Sequence, residues 1–193
     1  MLSHLLHLIE QYAPLSSTDK ALCADHFEPL FVPKNRIIEE SGKTPKYLYF
    51  ITSGYVRLFE INEKGDDITT HINCPPGFIT PYSSFITGTI SNENLESITE
   101  CNLLRVSKLN LDMLISKSPA IKDFSIQVFQ QSLSYNEKRA KELATLSADK
   151  RYLMLMKNNP DILHNVPLQH IASFLGMNPK SLSRIRNVIG GKS

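Results

Sequence analysis

Cysteine is scarce in this 193-residue chain, and the three present, Cys23, Cys74 and Cys101, lie far apart. Their odd number and wide spacing fit neither a disulfide framework nor a CxxC metal site, so a reducing cytoplasm is the simplest expectation. Long hydrophobic runs are also missing, since no stretch approaches the roughly 18 apolar residues of a membrane span. Residues 1–14 carry Leu2, Leu5, Leu6, Leu8 and Ile9, but His4 and His7 interrupt them, and there is neither a basic start nor a small-residue cleavage site. That segment reads as a short amphipathic helix and not as an export signal, and no membrane partner is expected.

Catalytic signatures are missing too. The six histidines form no HExxH spacing, and no GxSxG nucleophile elbow occurs. Gly191-Lys192-Ser193 resembles the end of a phosphate-binding loop, but the first glycine of that motif would fall at Arg186. Neither an enzyme nor a metal or cofactor is expected. What is present is an ordinary globular composition, 41% hydrophobic and 21% charged. The length suits one medium domain plus a module of about 50 residues.

The net charge of +2 is unevenly spread. Residues 147–193 hold Lys150, Arg151, Lys157, Lys180, Arg184, Arg186 and Lys192 against Asp149 and Asp161, a balance of +5 that leaves −3 for the rest of the chain. A basic terminal module on an acidic body is the distribution that phosphate binding requires, although a solvated charged face produces the same split.

Residues 15–24 predict a helix capped around Ser17-Thr18-Asp19. From Phe27 to Ser107 the texture turns to short β-type runs, Tyr47-Leu48-Tyr49-Phe50-Ile51 and Tyr55-Val56-Arg57-Leu58-Phe59 being the clearest, punctuated by Ser41-Gly42, Ser53-Gly54, Lys64-Gly65 and Pro75-Pro76-Gly77. About eight strands at this spacing make a small antiparallel sandwich or barrel. Ser107 caps a short helix, and Ser118-Pro119 reads as N-cap and first residue of the next. No Gly or Pro follows until Pro160, so one helix over 119–146, about 40 Å long at 1.5 Å per residue, is expected.

Within that helix Ile126, Phe129, Leu133, Asn136, Ala140 and Leu143 recur at steps of three and four, an a/d seam with one polar position that suits pairing with a second copy. Ile121, Phe124 and Val128 lie on another face, where they pack on the chain's own β-domain. Ser147-Ala148-Asp149 starts a further helix that Asn158-Asn159-Pro160 ends.

The strongest signal lies in 166–189. Two short helices meet at a tight turn in which Gly176 supplies a positive φ and Asn178-Pro179 restarts the chain as N-cap and first residue. Ala172 permits close crossing, and Ile171, Leu175, Met177, Leu182 and Ile185 fall on the faces that meet, which is the helix-turn-helix pattern. Lys180, Ser181, Ser183, Arg184 and Asn187 are left on the outer surface of the second helix, the element that enters the major groove. Arg184 is the first candidate for reading a base, while Arg186 and Lys192 suit backbone phosphates. The competing interpretation is a helical hairpin that only packs a core.

An N-terminal helix, a β-roll, a long helix and a terminal helix-turn-helix, in that order, resemble the Crp/Fnr family of regulators with a cyclic-nucleotide-binding-like domain. The segment from Tyr47 to Leu58 is similar to the family's central hairpin, and the segment from Ser173 to Arg184 to its helix-turn-helix. The resemblance implies an α+β fold with three parts: an antiparallel β-roll over 1–117, a dimerisation helix over 118–146 and a winged-helix-like DNA-binding domain over 147–193. The chain stops soon after the second helix, so a shortened version without a C-terminal wing strand is expected. The implied function is sequence-specific transcription regulation as a homodimer, with double-stranded DNA and RNA polymerase as partners.

Family members that bind cyclic AMP hold it in a loop resembling F-G-E-x-x-L-x-x-x-x-R-S-A. Register on Thr87-Gly88 places Thr80-Pro81-Tyr82 and Ser91-Asn92-Glu93 where the anchoring Glu and Arg belong. Both anchors are missing and Glu93 adds negative charge, so no response to cyclic AMP is expected. A pocket under Phe78, Tyr82, Ser83, Ser84, Phe85, Ser91 and Asn92 is the candidate site for another small effector, if one exists. Three scattered cysteines cannot repeat the family's four-cysteine iron–sulfur ligation, and His71 near Cys74 reads as a structural strand histidine, not a haem ligand. The alternative function is a ligand-binding or protein-interaction module whose helix-turn-helix does not bind DNA.

Overall fold

The computed structural model describes residues 1–190. Eight strands form two four-stranded antiparallel sheets. The first has the order β1 (Glu28–Val32), β8 (Cys101–Ser107), β3 (Tyr47–Ser53), β6 (Gly77–Ile79), and the second β2 (Arg36–Glu39), β7 (Asn94–Ser97), β4 (Val56–Ile61), β5 (Asp67–Asn73). β3 and β8 are covered on both faces. Tyr49, Ile51 and Leu103 point between the sheets with Val56, Leu58 and Leu95, while Phe50, Leu104 and Val106 point outward under the helices. Burial on both sides explains why β3 reads as an uninterrupted apolar run. Each large side chain so buried contributes about 1.5–3 kcal/mol.

The β3–β4 connection turns at Gly54, whose φ of +92° and closeness to the Glu100 carbonyl and Cys101 Sγ leave no room for a Cβ. β6 is not among the β-type runs expected from sequence, where only its Gly77 is placed, in the Pro75-Pro76-Gly77 turn. It forms a strand because Phe78 pairs with Phe50 in register and packs on its ring, with centroids 5.0 Å apart.

Helices α1 (Leu2–Glu10), α2 (Ser17–His26) and α4 (Lys108–Lys117) cover the outer face of the first sheet, where Leu5, Ile9, Cys23, Leu111 and Leu114 join one cluster. The N-cap of α2 is Ser16, in a capping box with Asp19, one residue earlier than the expected cap. Ser107 and Ser118 cap as expected, the Ser118 hydroxyl accepting from the Ile121 amide at 3.2 Å. The long helix α5 runs Pro119–Thr145, and Ile121 and Phe124 bury it against the roll. Short helix α3 (Tyr82–Thr87) lies between β6 and β7.

Four helices complete the described chain: α6 (Ala148–Asn158), α7 (Pro160–Asn165), α8 (Leu168–Phe174) and α9 (Pro179–Gly190). Asn159-Pro160 does end α6, but the same pair opens α7, which the sequence reading did not anticipate.

Candidate nucleic-acid interface and its docking on the roll

The α8–α9 turn closes as a Schellman motif: the Met177 amide donates to Ala172 O at 3.0 Å and the Gly176 amide to Ser173 O at 2.9 Å, with Gly176 at φ +65°. Asn178 Oδ1 then accepts from the Ser181 amide at 2.8 Å and starts α9. Ile171, Ala172, Leu175, Leu182 and Ile185 are buried where the two helices cross.

This leaves one free face on α9. Lys180, Ser183, Arg184 and Asn187 follow steps of three, one and three, so they form a single exposed stripe, with Arg186 exposed on its flank and Ser181 half-buried at its start. Lys180, Arg184 and Arg186 take part in no ion pair among the described residues. Lys192 lies outside the described residues.

The opposite side of the module is docked on the second sheet. Its apolar cluster, built from Tyr152, Leu155, Ile162, Val166, Phe174 and their neighbours, includes Ile72 of β5 and Ile98. Ser173 of α8 bonds the free edge of β5 through both its donor and its acceptor, to Asp67 O and the Thr69 amide. Beside it lies Arg57, only 3% exposed. Its guanidinium takes both carboxylate oxygens of Asp67 at 2.5 and 2.7 Å, Glu96 at 2.7 Å and Thr69 Oγ1 at 3.0 Å, and stands 4.0 Å over the Phe59 ring. A buried charge is tolerated only when so fully paired. Facing this network on α8, His170 has its pKa pushed down, first by burial and then by the Arg57 charge. From sequence, Arg57 stands only as one residue of the central hairpin. The available signal was a charge set inside the apolar run Val56-Arg57-Leu58-Phe59.

The long helix divides the seam residues between two directions. Phe129 lies under Tyr82, ring centroids 5.2 Å apart, Asn136 Oδ1 bonds His71 Nε2 at 3.1 Å, and Leu143 touches the Gly176 turn. Ile126 (41% exposed) and Leu133 (70%) face outward, with Ala140 also exposed one heptad further on. Ile126, Leu133 and Ala140 are one heptad position; Phe129, Asn136 and Leu143 are the other, and they touch their own chain although Asn136 and Leu143 (40%) are themselves exposed.

The seven residues expected to form an effector pocket differ widely in burial. Phe85 is in the core, Phe78 packs on Phe50 and Phe124, Tyr82 lies on Phe129, and Ser83 and Asn92 are exposed. Ser84 and the buried Ser91 make local bonds, to Ile90 O and from the Glu93 amide. Phe78 alone of the seven lines an apolar cavity of about 40 Å³ under α1 and α5, room for little more than a water. From Gly77 to Ser97 there is no Lys or Arg.

Residues 29–118 match the family model described as the cyclic nucleotide-binding domain. In structure, the global regulator CLP of Xanthomonas campestris, described as c-di-GMP responsive, superposes with a TM-score of 0.70 over 92% of this chain and 93% of its own, at 17% identity. A transcriptional regulator described as of the Crp/Fnr family, from Eubacterium rectale, gives 0.71 over 95% and 89% at 17% identity. The chain has the Crp/Fnr fold. FixK2 of Bradyrhizobium japonicum shares that fold at a TM-score of 0.72 and 15% identity, over 86% of this chain and 85% of FixK2. No curated protein is significantly similar to the chain in sequence. Among the described residues, no helix of this Crp/Fnr-fold chain is long and apolar enough to cross a membrane, and no cluster of three or more metal-ligating side chains occurs.

Proposed function

We propose that the chain is a sequence-specific DNA-binding transcription regulator that works as a homodimer in the cytoplasm. One observation carries the reading: the α9 stripe of Lys180, Ser183, Arg184 and Asn187 is exposed and makes no ion pair among the described residues, while the opposite face of the same helix is buried. A buried inner face and an unpaired cationic outer face are what a recognition helix needs to enter a major groove. The proposed roles are base reading by Arg184, edge or phosphate contacts by Lys180, Ser181, Ser183 and Asn187, and phosphate contact by Arg186.

Dimerisation is proposed through the exposed heptad row of α5, with Ile126 and Leu133 as its apolar anchors and Phe129, Asn136, Ala140 and Leu143 completing the seam. Cyclic AMP is not the proposed effector, because the absence of any Lys or Arg from Gly77 to Ser97 leaves a phosphate there uncompensated. RNA polymerase is the partner that a transcription regulator on this fold implies.

The competing reading, an interaction module that leaves DNA alone, draws support from the use of α8 as a packing element on β5. Salt dependence separates the two. Phosphate contacts release counterions, so affinity for duplex DNA should fall steeply and linearly on a log–log plot against salt. A flat response, or no binding to any duplex at low ionic strength, overturns the regulator reading.

A further inference from the structure

A second cleft lies away from the expected effector loop. A cavity of about 320 Å³ opens where three parts of the chain meet: the β5–β6 turn with Asn73 and Cys74, the C-terminal part of α5 with Tyr135 to Leu143, and the terminal module with Arg151, Asn158 and Phe174. Its size is at the lower end of the roughly 300–1,000 Å³ typical of small-molecule sites.

Its charge is one-sided. Lys138, Arg139 and Arg151 line it against a single carboxylate, Glu142, which stands 3.9 Å from Lys138. Neither arginine is paired with a carboxylate among the described residues. Arg139 stacks 3.6 Å over the Phe174 ring and donates to Phe174 O, and Arg151 donates to the carbonyls of Leu143, Leu146 and Leu175. These bonds hold both guanidinium planes in place while leaving most of the Arg139 N–H groups and the second terminal nitrogen of Arg151 undirected. An arginine fork positioned by carbonyls and an aromatic face, with donors to spare, is preorganised for a bidentate anion.

We propose that this junction cavity binds a small organic polyanion, a molecule carrying a phosphate group or paired carboxylates. Lys138 and Arg139 meet its charge from α5, and Arg151 meets it from the terminal module. Burial disfavours the charged form of Arg139, against which Tyr135 and Glu142 pull and to which Arg151 adds weakly, so an anion bound beside the guanidinium offsets part of the cost of its burial. A ligand here touches both the long helix and the residues that hold the Gly176 turn, so as an effector site it rests on the regulatory reading. As a binding site it does not.

The test uses the full chain without DNA, with inorganic pyrophosphate and citrate as probes and sodium chloride holding ionic strength constant. Thermal unfolding should shift upward and saturate with at least one probe. Lys138→Gln, whose side chain is exposed and makes only the long contact to Glu142, should keep the unliganded melting temperature and weaken affinity at least about tenfold. Arg139→Gln should weaken it further, and Lys141→Gln, an exposed lysine of the same helix outside the cavity, should leave it unchanged. No saturable shift with either probe overturns the proposal, as does a shift that Lys138→Gln and Arg139→Gln both leave intact. Because DNA is absent, this failure is distinct from failure to bind an operator.

Discussion

Ser173 of α8 closes the open edge of the second sheet: its hydroxyl accepts from the Thr69 amide at 2.8 Å and donates to Asp67 O at 3.1 Å. Edge strands left unpaired invite association with other chains, and here the helix-turn-helix module covers the edge of its own roll. Ser173→Ala leaves a part-buried amide unmatched and should cost about 1–2 kcal/mol. The checking measurement is hydrogen exchange at Thr69, which should accelerate about tenfold. An unchanged rate would mean that this bond does not hold the module in place.

The Gly176 turn should be intolerant of a side chain. At φ +65° an L-residue is strained, and a Cβ would stand 3.2 Å from Leu143 Cδ2. Gly176→Ala should lower stability by about 1–2 kcal/mol, read from the denaturant midpoint. Gly176→Asn should cost less, since asparagine tolerates the left-handed region. Equal losses would assign the effect to crowding against Leu143.

His170 predicts a pH dependence. Burial, then the Arg57 charge, holds its pKa below 6.5, with Asp67 and Glu96 pulling weakly the other way. The folded chain therefore keeps the imidazole neutral while the unfolded chain takes up a proton. This contribution is complete above about pH 6.5 and is lost as pH falls from there through the folded pKa. Melting temperature should drop more steeply for the wild type than for His170→Gln between about pH 7 and pH 5. Parallel curves would remove His170 as the cause.

Leu133, 70% exposed on the single chain, is the most exposed large apolar side chain of the seam. Leu133→Asp would bury an unpaired carboxylate in a paired helix interface and should halve the mass measured by light scattering. An unchanged mass excludes pairing through this row.

Arg184→Ala should weaken specific DNA binding by about 1–3 kcal/mol and relax preference at one base position. A uniform loss across sequences would instead make Arg184 a phosphate contact.

Much of this protein was determined by local rules. The caps at Ser107, Ser118 and Asn178, the long helix with no Gly or Pro after Pro119, the strand texture, and the positive-φ glycine at 176 each depend on residues a few positions apart, so periodicity and turn chemistry reveal them. What only the tertiary structure decided involves partners far apart in sequence. β6 became a strand because Phe50 offered Phe78 a ring to pack on, and Arg57 became buried because Asp67, Glu96 and α8 converge on it. Asn136 and Leu143 follow the seam period and stay exposed, yet each also touches a distant part of its own chain. The cationic cavity gathers Asn73, Arg139 and Arg151, whose encounter no periodicity encodes, because it depends on where the terminal module docks.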